Sequence, residues 1–284
     1  MKSITARISE NLSAFSKGQH RIADSILNSY ETVAYMTAAK LGNFCKVSES
    51  TVVRFAGELG YSGYPEMQRA VQELVRAKLT PNQRIEVTNR RLGDQDVLEN
   101  VLTADADRIK YTLEHIDKEV FKATVDSLLN AKNIYVFGAR SSLSLAYFLS
   151  YNLELIFNHI KFLQPSSAGE VFEQILSIEK GDVLFAISFP RYSKKVVDAV
   201  RYAREQGATV IALTDSSVSP LSEYADHLLT AQSDMASFVD SLVAPLSILN
   251  ATLAAVAKER QSEIAQRFDK LERIWDEYDV YDKH

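Results

Sequence analysis

Cysteine is almost missing from this chain: one thiol, Cys45, stands among 284 residues. A lone cysteine excludes an intramolecular disulfide and a cysteine-built zinc site. Long hydrophobic runs are missing as well. Stretches such as Ile134 to Phe137 are far too short to span a bilayer. The start, Met1-Lys2-Ser3-Ile4, has none of the apolar stretch of a secretory signal. No internal repeat or low-complexity tract interrupts the sequence. Cytoplasmic localisation is the expectation these absences set.

What is present is an ordinary globular composition, 46% hydrophobic and 24% charged, long enough for two separate cores. The net charge of -5 hides an uneven distribution. Residues 1–91 hold 13 Lys/Arg against 8 Asp/Glu, and the remainder hold 19 against 29. A basic binding module on an acidic body has this asymmetry, although acidic enzymes with a basic patch share it.

The first 80 residues read as helices alone. Ile4, Ile8 and Leu12 keep a four-residue spacing, and Ile22, Ile26 and Leu27 follow on a second segment. Pro65 suits the first turn of a helix running to about Leu79. Thr80-Pro81-Asn82-Gln83 reads as a boundary, since proline disfavours helix at the residue before it. Residues 81–94 are read as a linker and 95–284 as a second domain. Asp94 to Asn130 is helical by pattern. Short apolar runs then begin at Asn133, Ile160, Asp182, Thr209 and His227, with helices expected at about 142–157, 168–178, 193–206 and 217–224. Such alternation predicts a parallel five-stranded sheet flanked by helices, an α/β domain following an all-α domain. Ligands of such sheets bind beyond the carboxyl ends of the strands. A last long helix is expected from about Met235 to Ala257, followed by an amphipathic tail with Ile264, Phe268, Leu271 and Trp275.

Within Thr37 to Gly60, Thr37 caps one helix and Ser48 a second, over residues 49–59. Val52, Phe55, Ala56 and Leu59 form the buried stripe of the second helix. Ser50 and Arg54 lie on its other face, with Thr51 near the amino end. Those residue types reach base edges and phosphates in the major groove. The plainer alternative is one more amphipathic helix pair. The run Val47-Ser48-Glu49-Ser50-Thr51-Val52-Val53-Arg54-Phe55, followed by Leu59-Gly60-Tyr61-Ser62-Gly63-Tyr64, resembles the recognition-helix signature of the RpiR (MurR/RpiR) family of regulators. The likeness covers the N-terminal domain and implies a helix-turn-helix that binds double-stranded DNA. The DNA-binding residues so expected are Lys46, Ser48, Ser50, Thr51, Arg54 and Tyr61. Lys46 stands where many such motifs have a turn glycine, at a steric cost if its φ is positive. Tyr61 and Tyr64 either reach phosphates or close the core, with Tyr64 assigned to the core.

Two loops mark the second half. Gly138-Ala139-Arg140-Ser141-Ser142 follows the first strand, and Ser188-Phe189-Pro190-Arg191-Tyr192-Ser193 follows the third. Each places hydroxyls and free amides at a helix start, a geometry that suits phosphate. The competing explanation is simple N-capping by serine. Residues from about 120 to 260 resemble a SIS (sugar isomerase) domain, a fold that binds phosphosugars in enzymes and regulators. Its Gly-x-Gly-x-Ser loop corresponds to Gly138 through Ser142, with Arg140 in place of the second glycine. Its Ile-Ser-x-Ser-Gly-x-Thr loop corresponds to Ile187 through Ser193, with Pro190 and Arg191 in place of the inner Ser-Gly. The resemblance implies effector contacts at Arg140, Ser141, Ser142, Ser188, Arg191, Tyr192 and Ser193. Either arginine adds an anion contact, or Arg140 narrows the site toward a smaller ligand. Gln164 and Ser166 either line the same pocket or cap their own loop.

Together these readings predict a regulator of a carbohydrate-metabolism operon, controlled by a phosphosugar effector. They also predict a homodimer or homotetramer on a palindromic operator, without catalytic residues, cofactor or metal. The alternative is an aldose-ketose sugar-phosphate isomerase with an accessory helical domain. An isomerase needs a positioned base. Of the five histidines, His20 and His284 lie far from the strands, His227 reads as packed, and His159 with Glu170 stays open.

Overall fold

A computed structural model describes residues 4–78, 80–92, 96–164 and 167–281. Ser166 and His284 therefore lie outside the described residues. The chain divides into two units: 1–97 with 235–240, and 98–234 with 241–284.

The first unit is helical: α1 (Ile4–Asn11), α2 (Lys17–Asn28), α3 (Tyr30–Val33), α4 (Ala38–Cys45), α5 (Glu49–Glu58), α6 (Tyr64–Lys78) and α7 (Pro81–Leu92). One core joins Ile8, Ile22, Ile26, Leu41, Val52, Phe55, Ala56 and Met67, all buried. Cys45 is part of it, as a small apolar residue. The stretch read as a linker holds α7. Proline there begins a helix rather than ending one, because a first-turn residue has no intrahelical partner for its N–H. Thr80 and Gln83 close a reciprocal cap ahead of it, with Thr80 N donating to Gln83 Oε1 at 2.9 Å and Gln83 N donating to Thr80 Oγ1 at 3.4 Å. The buried Arg84 of α7 pairs with Asp240 at 3.1 Å.

The second unit opens with α8 (Val97–His115) and α9 (Lys118–Asn130). The Asp117 carboxylate, accepting from the amides of Glu119 and Val120, starts α9 and breaks the helical run. Then come β1 (Ile134–Gly138), α10 (Ser142–Glu154), β2 (Ile160–Phe162), α11 (Ala168–Gln174), β3 (Val183–Ile187), α12 (Lys194–Glu205), β4 (Thr209–Thr214), β5 (His227–Thr230), α13 (Val243–Glu259) and α14 (Gln261–Glu277). The five strands are parallel in the order β2-β1-β3-β4-β5. Every residue of β1 and β3 is buried, as strands covered on both faces require. Alternation still sorts them: Ile134, Val136, Phe185 and Ile187 pack with α10 and α13, while Tyr135, Phe137, Leu184 and Ala186 pack with α11 and α12. Asp182, fully buried ahead of β3, accepts from Asn133 N, Asn133 Nδ2 and Glu179 N, which satisfies a carboxylate that would otherwise be costly to bury.

One expected helix is absent and another starts late. Residues 217–224 form successive turns, because Ser216 and Ser222 hydroxyls bond the local backbone and Pro220 lacks a donor. Residues 235–242 are not helical either. Met235 and Asp240 form an antiparallel bridge, and Ala236 N reaches Val239 O. The last long helix begins only at Val243.

His159 and His227 both lie at the amino ends of their strands. Burial lowers the pKa of each from the usual 6.5, aided at His159 by the nearby Arg260. The unfolded chain then takes up protons that the folded chain refuses, so stability is steady above about pH 6.5 and falls as pH drops below it. Thermal midpoints should decline between about pH 6.5 and 5. The double variant His159→Gln, His227→Gln should show a shallower decline. An equal slope in the variant would place the acid sensitivity on other groups.

Candidate functional site

The first candidate surface is the α4–α5 pair. Thr37 caps α4 by accepting from Lys40 N, and Ser48 caps α5 by accepting from Thr51 N. Between them Lys46 sits in the left-handed region at φ 54, ψ 49, and Val47 N returns to Gly42 O at 2.8 Å. Gly42 is required in this turn: a Cβ there would lie 2.9 Å from Val47 O. Val52, Phe55 and Ala56 face inward as the spacing predicted. Ser50 and Arg54 are exposed on the opposite face, and Arg54 Nε donates to Ser50 O at 3.4 Å. Lys46 is also exposed, its carbonyl held by Arg21. The Ser48 hydroxyl is engaged as the cap and lies 2.9 Å from Ser50 Oγ and 2.8 Å from Thr51 Oγ1.

Tyr61 needs correction as a DNA contact. Its ring is only 8% exposed, sits in the core and lies under the Arg7 guanidinium at 4.5 Å. Desolvation raises its pKa despite that cation. Tyr64 is core as expected. Its hydroxyl donates to Met36 O at 2.6 Å, and burial pushes its pKa up to about 12. Val53, which the sequence reading did not single out, is also exposed, at 45%, next to Arg54.

The second candidate lies at the carboxyl ends of β1 and β3. The chain leaves β1 for β2 on one side and reaches β3 on the other, so the order reverses between these neighbours, where open α/β sheets hold ligands. Gly138 and Ile187 are paired across the two strands, which brings the two loops side by side. A Cβ at Gly138 would lie 2.4 Å from Ser142 O, so only glycine lets α10 start this close. Ser142 and Ser188 are buried, and Ser188 Oγ accepts from Ser193 N at 3.3 Å. Ser141 and Ser193 occupy the cap positions of α10 and α12, yet neither side chain makes a cap hydrogen bond. By contrast Ser16, Ser48 and Ser167 all cap in the ordinary way. Tyr192 donates to Asp215 Oδ1 at 2.8 Å, which fixes the phenol from the end of β4. Asp215 had gone unnoticed as a positioning partner, since nothing in sequence pairs it with Tyr192. Arg140, at φ 58, and Arg191 are exposed.

The remaining candidates fall elsewhere. Gln164 is exposed after β2, its amide donating to Gln174 Oε1. Glu170 stands near the ligand end of the sheet but belongs to a capping box with Ser167 and accepts from Gln174 Nε2. His115 bonds Tyr111 O on α8, and His227 bonds Ser127. Among the described residues no group of three or more His, Cys, Asp or Glu could hold a metal ion, and no helix is long and apolar enough to cross a membrane.

Residues 2–78 match the profile of the helix-turn-helix domain of the RpiR family, and residues 127–255 that of the SIS domain. An RpiR-family helix-turn-helix domain is thus joined to a SIS domain in this chain. It is 29% identical over 233 residues to the HTH-type transcriptional regulator HexR of Escherichia coli, covering 79% of this chain and 76% of that one. It is 26% identical over 283 residues to an uncharacterized HTH-type transcriptional regulator of Caldanaerobacter subterraneus, covering 96% and 97%. Its fold is similar to the sugar isomerase domain of an RpiR transcription factor from Sphaerobacter thermophilus, with TM-score 0.60, 27% identity, and 63% and 99% of the two chains covered. Vibrio vulnificus NanR, solved with ManNAc-6P, shares the fold at TM-score 0.59 and 22% identity, over 95% and 97%.

Within this RpiR-type helix-turn-helix, Lys46 and Arg54 allow stability to be separated from binding. Lys46→Gly should keep or raise the thermal midpoint, because glycine adopts positive φ without strain. It should nonetheless weaken DNA binding and lower the salt slope by about 1. Arg54→Ala should cost about 1–3 kcal/mol against an operator selected from random-sequence DNA, if it reads a base edge. Unchanged affinity and salt slope in both variants would make them solvated surface residues.

Proposed function

We propose that this regulator of transcription binds a phosphosugar at the carboxyl ends of β1 and β3, and that occupancy alters its affinity for operator DNA. The observation that carries the reading is the pair of uncapped serines, Ser141 and Ser193, heading α10 and α12 after neighbouring strands. At α12 the serine leaves the first amides unserved, which keeps hydroxyl and amides for an anion. Those amides belong to Lys194 and Lys195, and neither finds a partner among the described residues. The first amides of α10 instead donate to Ala139 O and Arg140 O and leave the Ser141 hydroxyl alone to contribute. The operon governed is one of carbohydrate metabolism. The site binds without turning its ligand over, since its serines and arginines donate hydrogen bonds while the histidines stand at other places in the fold.

The operator has approximate two-fold symmetry, because paired helix-turn-helix units gain affinity from two half-sites. Pairing of chains would cover the face of α14 where Ile264, Phe268, Leu271 and Trp275 stay half-buried. Light scattering at micromolar concentration should give a dimer or tetramer, and a strict monomer would refute this assembly.

Ser193→Ala tests the effector site. Each hydrogen bond to a charged phosphate is worth about 1.5–3 kcal/mol, so effector affinity should fall about ten- to a hundred-fold. The same variant should blunt the ligand's effect on operator binding, because the two affinities are linked. Operator affinity without ligand should stay nearly intact. Calorimetry on wild type and variant, with paired DNA-binding assays, measures all of these. Unchanged effector affinity removes Ser193 from the site, and steady conversion of the sugar phosphate to an isomer overturns the binding-only reading.

A further inference from the structure

The two loops carry more positive charge than a single phosphate needs. Arg140 lies two residues beyond Gly138 and Arg191 four beyond Ile187, on strands paired at those positions and about 4.8 Å apart. Both side chains are exposed, and neither forms an ion pair among the described residues. The nearby carboxylates are occupied elsewhere: Asp215 holds Tyr192, Glu170 serves its capping box, and Asp198 faces Arg201 at 3.5 Å. Lys194 and Lys195 follow directly in α12. This basic rim stands on a part of the chain, residues 92–284, that holds 19 Lys/Arg against 29 Asp/Glu, so it departs from its surroundings.

Arg140 carries a second signal. Its φ of 58 is one that glycine adopts freely and a side chain adopts at a steric cost. The guanidinium makes no hydrogen bond or ion pair among the described residues that would offset that cost. Meanwhile the hydroxyl of Ser193 and the amides opening α12 suffice for one phosphate. Guanidinium groups match carboxylates and phosphates through parallel N–H donors, so two of them at this rim match a further anion.

We infer that the effector carries a second anionic group besides its phosphate, a carboxylate or another phosphate, held by Arg140 and Arg191. This rests on the phosphosugar reading of the site and narrows it. Glucose 6-phosphate and fructose 6-phosphate supply singly phosphorylated probes without a second anion. The matched probes are 6-phosphogluconate, with a carboxylate, and fructose 1,6-bisphosphate, with a second phosphate. The full chain is titrated with all four by calorimetry at one ionic strength.

At least one doubly anionic probe should bind about tenfold or more tightly than both others, and which one identifies the second anion. The double variant Arg140→Gly, Arg191→Gln should lose that preference, with the doubly anionic probe falling to the affinity of the singly phosphorylated sugars. Glycine suits the backbone at 140, so an unchanged or higher thermal midpoint shows that folding is intact. Equal affinity of wild type for all four probes, or tighter binding of the singly phosphorylated pair, overturns this inference and leaves the phosphosugar reading standing. A preference that survives in the variant overturns the assignment to the two arginines. Failure of every probe to bind wild type at millimolar concentration counts against the phosphosugar reading itself.

Discussion

The parallel pairing of β1 with β3 is the contact on which the second unit depends. Gly138 opposite Ile187 is its last rung, and both candidate loops leave the sheet from that rung. Parallel strands cannot be joined by a tight turn, so each crossover must bring a helix onto a face of the sheet. Here α10 returns the chain to β2 on one side of β1, and α11 then carries it past β1 to β3 on the other. The start of α10 and the start of α12 end up on adjacent strands because the chain reverses direction across the sheet at this point. Gly138 sets how closely α10 can begin, since a methyl group there would collide with the Ser142 carbonyl. The loops are therefore fixed by the core, and the residues they carry are free to serve a ligand.

Two exposed cations occupy left-handed backbone positions, and the comparison between them is informative. Lys46 ends α4, where a left-handed residue is the ordinary way to finish a helix and turn toward the next. The turn geometry alone explains that φ; only the choice of lysine over glycine is left to function. Arg140 precedes a helix and ends none, so its backbone and its side chain both call for explanation from the site. A similar contrast runs through the serines. Ser16, Ser48 and Ser167 accept from the amides of their helices, while Ser141 and Ser193 leave that work undone. Sequence cannot tell a capping serine from an idle one, because the difference is one of torsions. Ser141 is helical in its backbone where the capping serines are extended, and Ser193 is extended but its hydroxyl makes no cap bond.

Legibility followed the range of the interactions concerned. Thr37, Ser48 and the stripe Val52, Phe55, Ala56 act within one or two helical turns, and α4 and α5 appear within a residue of where their spacing puts them. The strand cores were equally plain, since a strand buried on both faces is a continuous apolar run. The errors came where a local signal had two meanings. Pro81 marks a break for the residue before it and a beginning for the helix after it, and α7 took the second sense. Ser-rich 216–222 has enough apolar residues for a helix, but its hydroxyls bond their own backbone. Tyr61 was misassigned because the cation over its ring, Arg7, comes from α1, which no reading of the α5 neighbourhood brings near.

Regulator and isomerase differ in one requirement that bears on these residues. Moving a proton between adjacent sugar carbons needs a base within hydrogen-bond reach of the ligand. His159 N-terminal to β2 and His227 at the start of β5 lie at the strand ends away from the candidate site, and burial holds both toward the neutral form. Asp215, at the end of β4, accepts from Tyr192 Oη and Thr214 Oγ1, and the oxygens of Glu170 accept from Ser167 N and Gln174 Nε2. A carboxylate serving as a cap must give up those bonds to act as a base, and its helix would lose the cap in every cycle. Hydroxyls, amides and guanidinium groups have no such conflict, because they hold an anion by donating and keep their protons. The same set of groups that is poor at proton abstraction is well suited to sensing how much negative charge a sugar derivative carries.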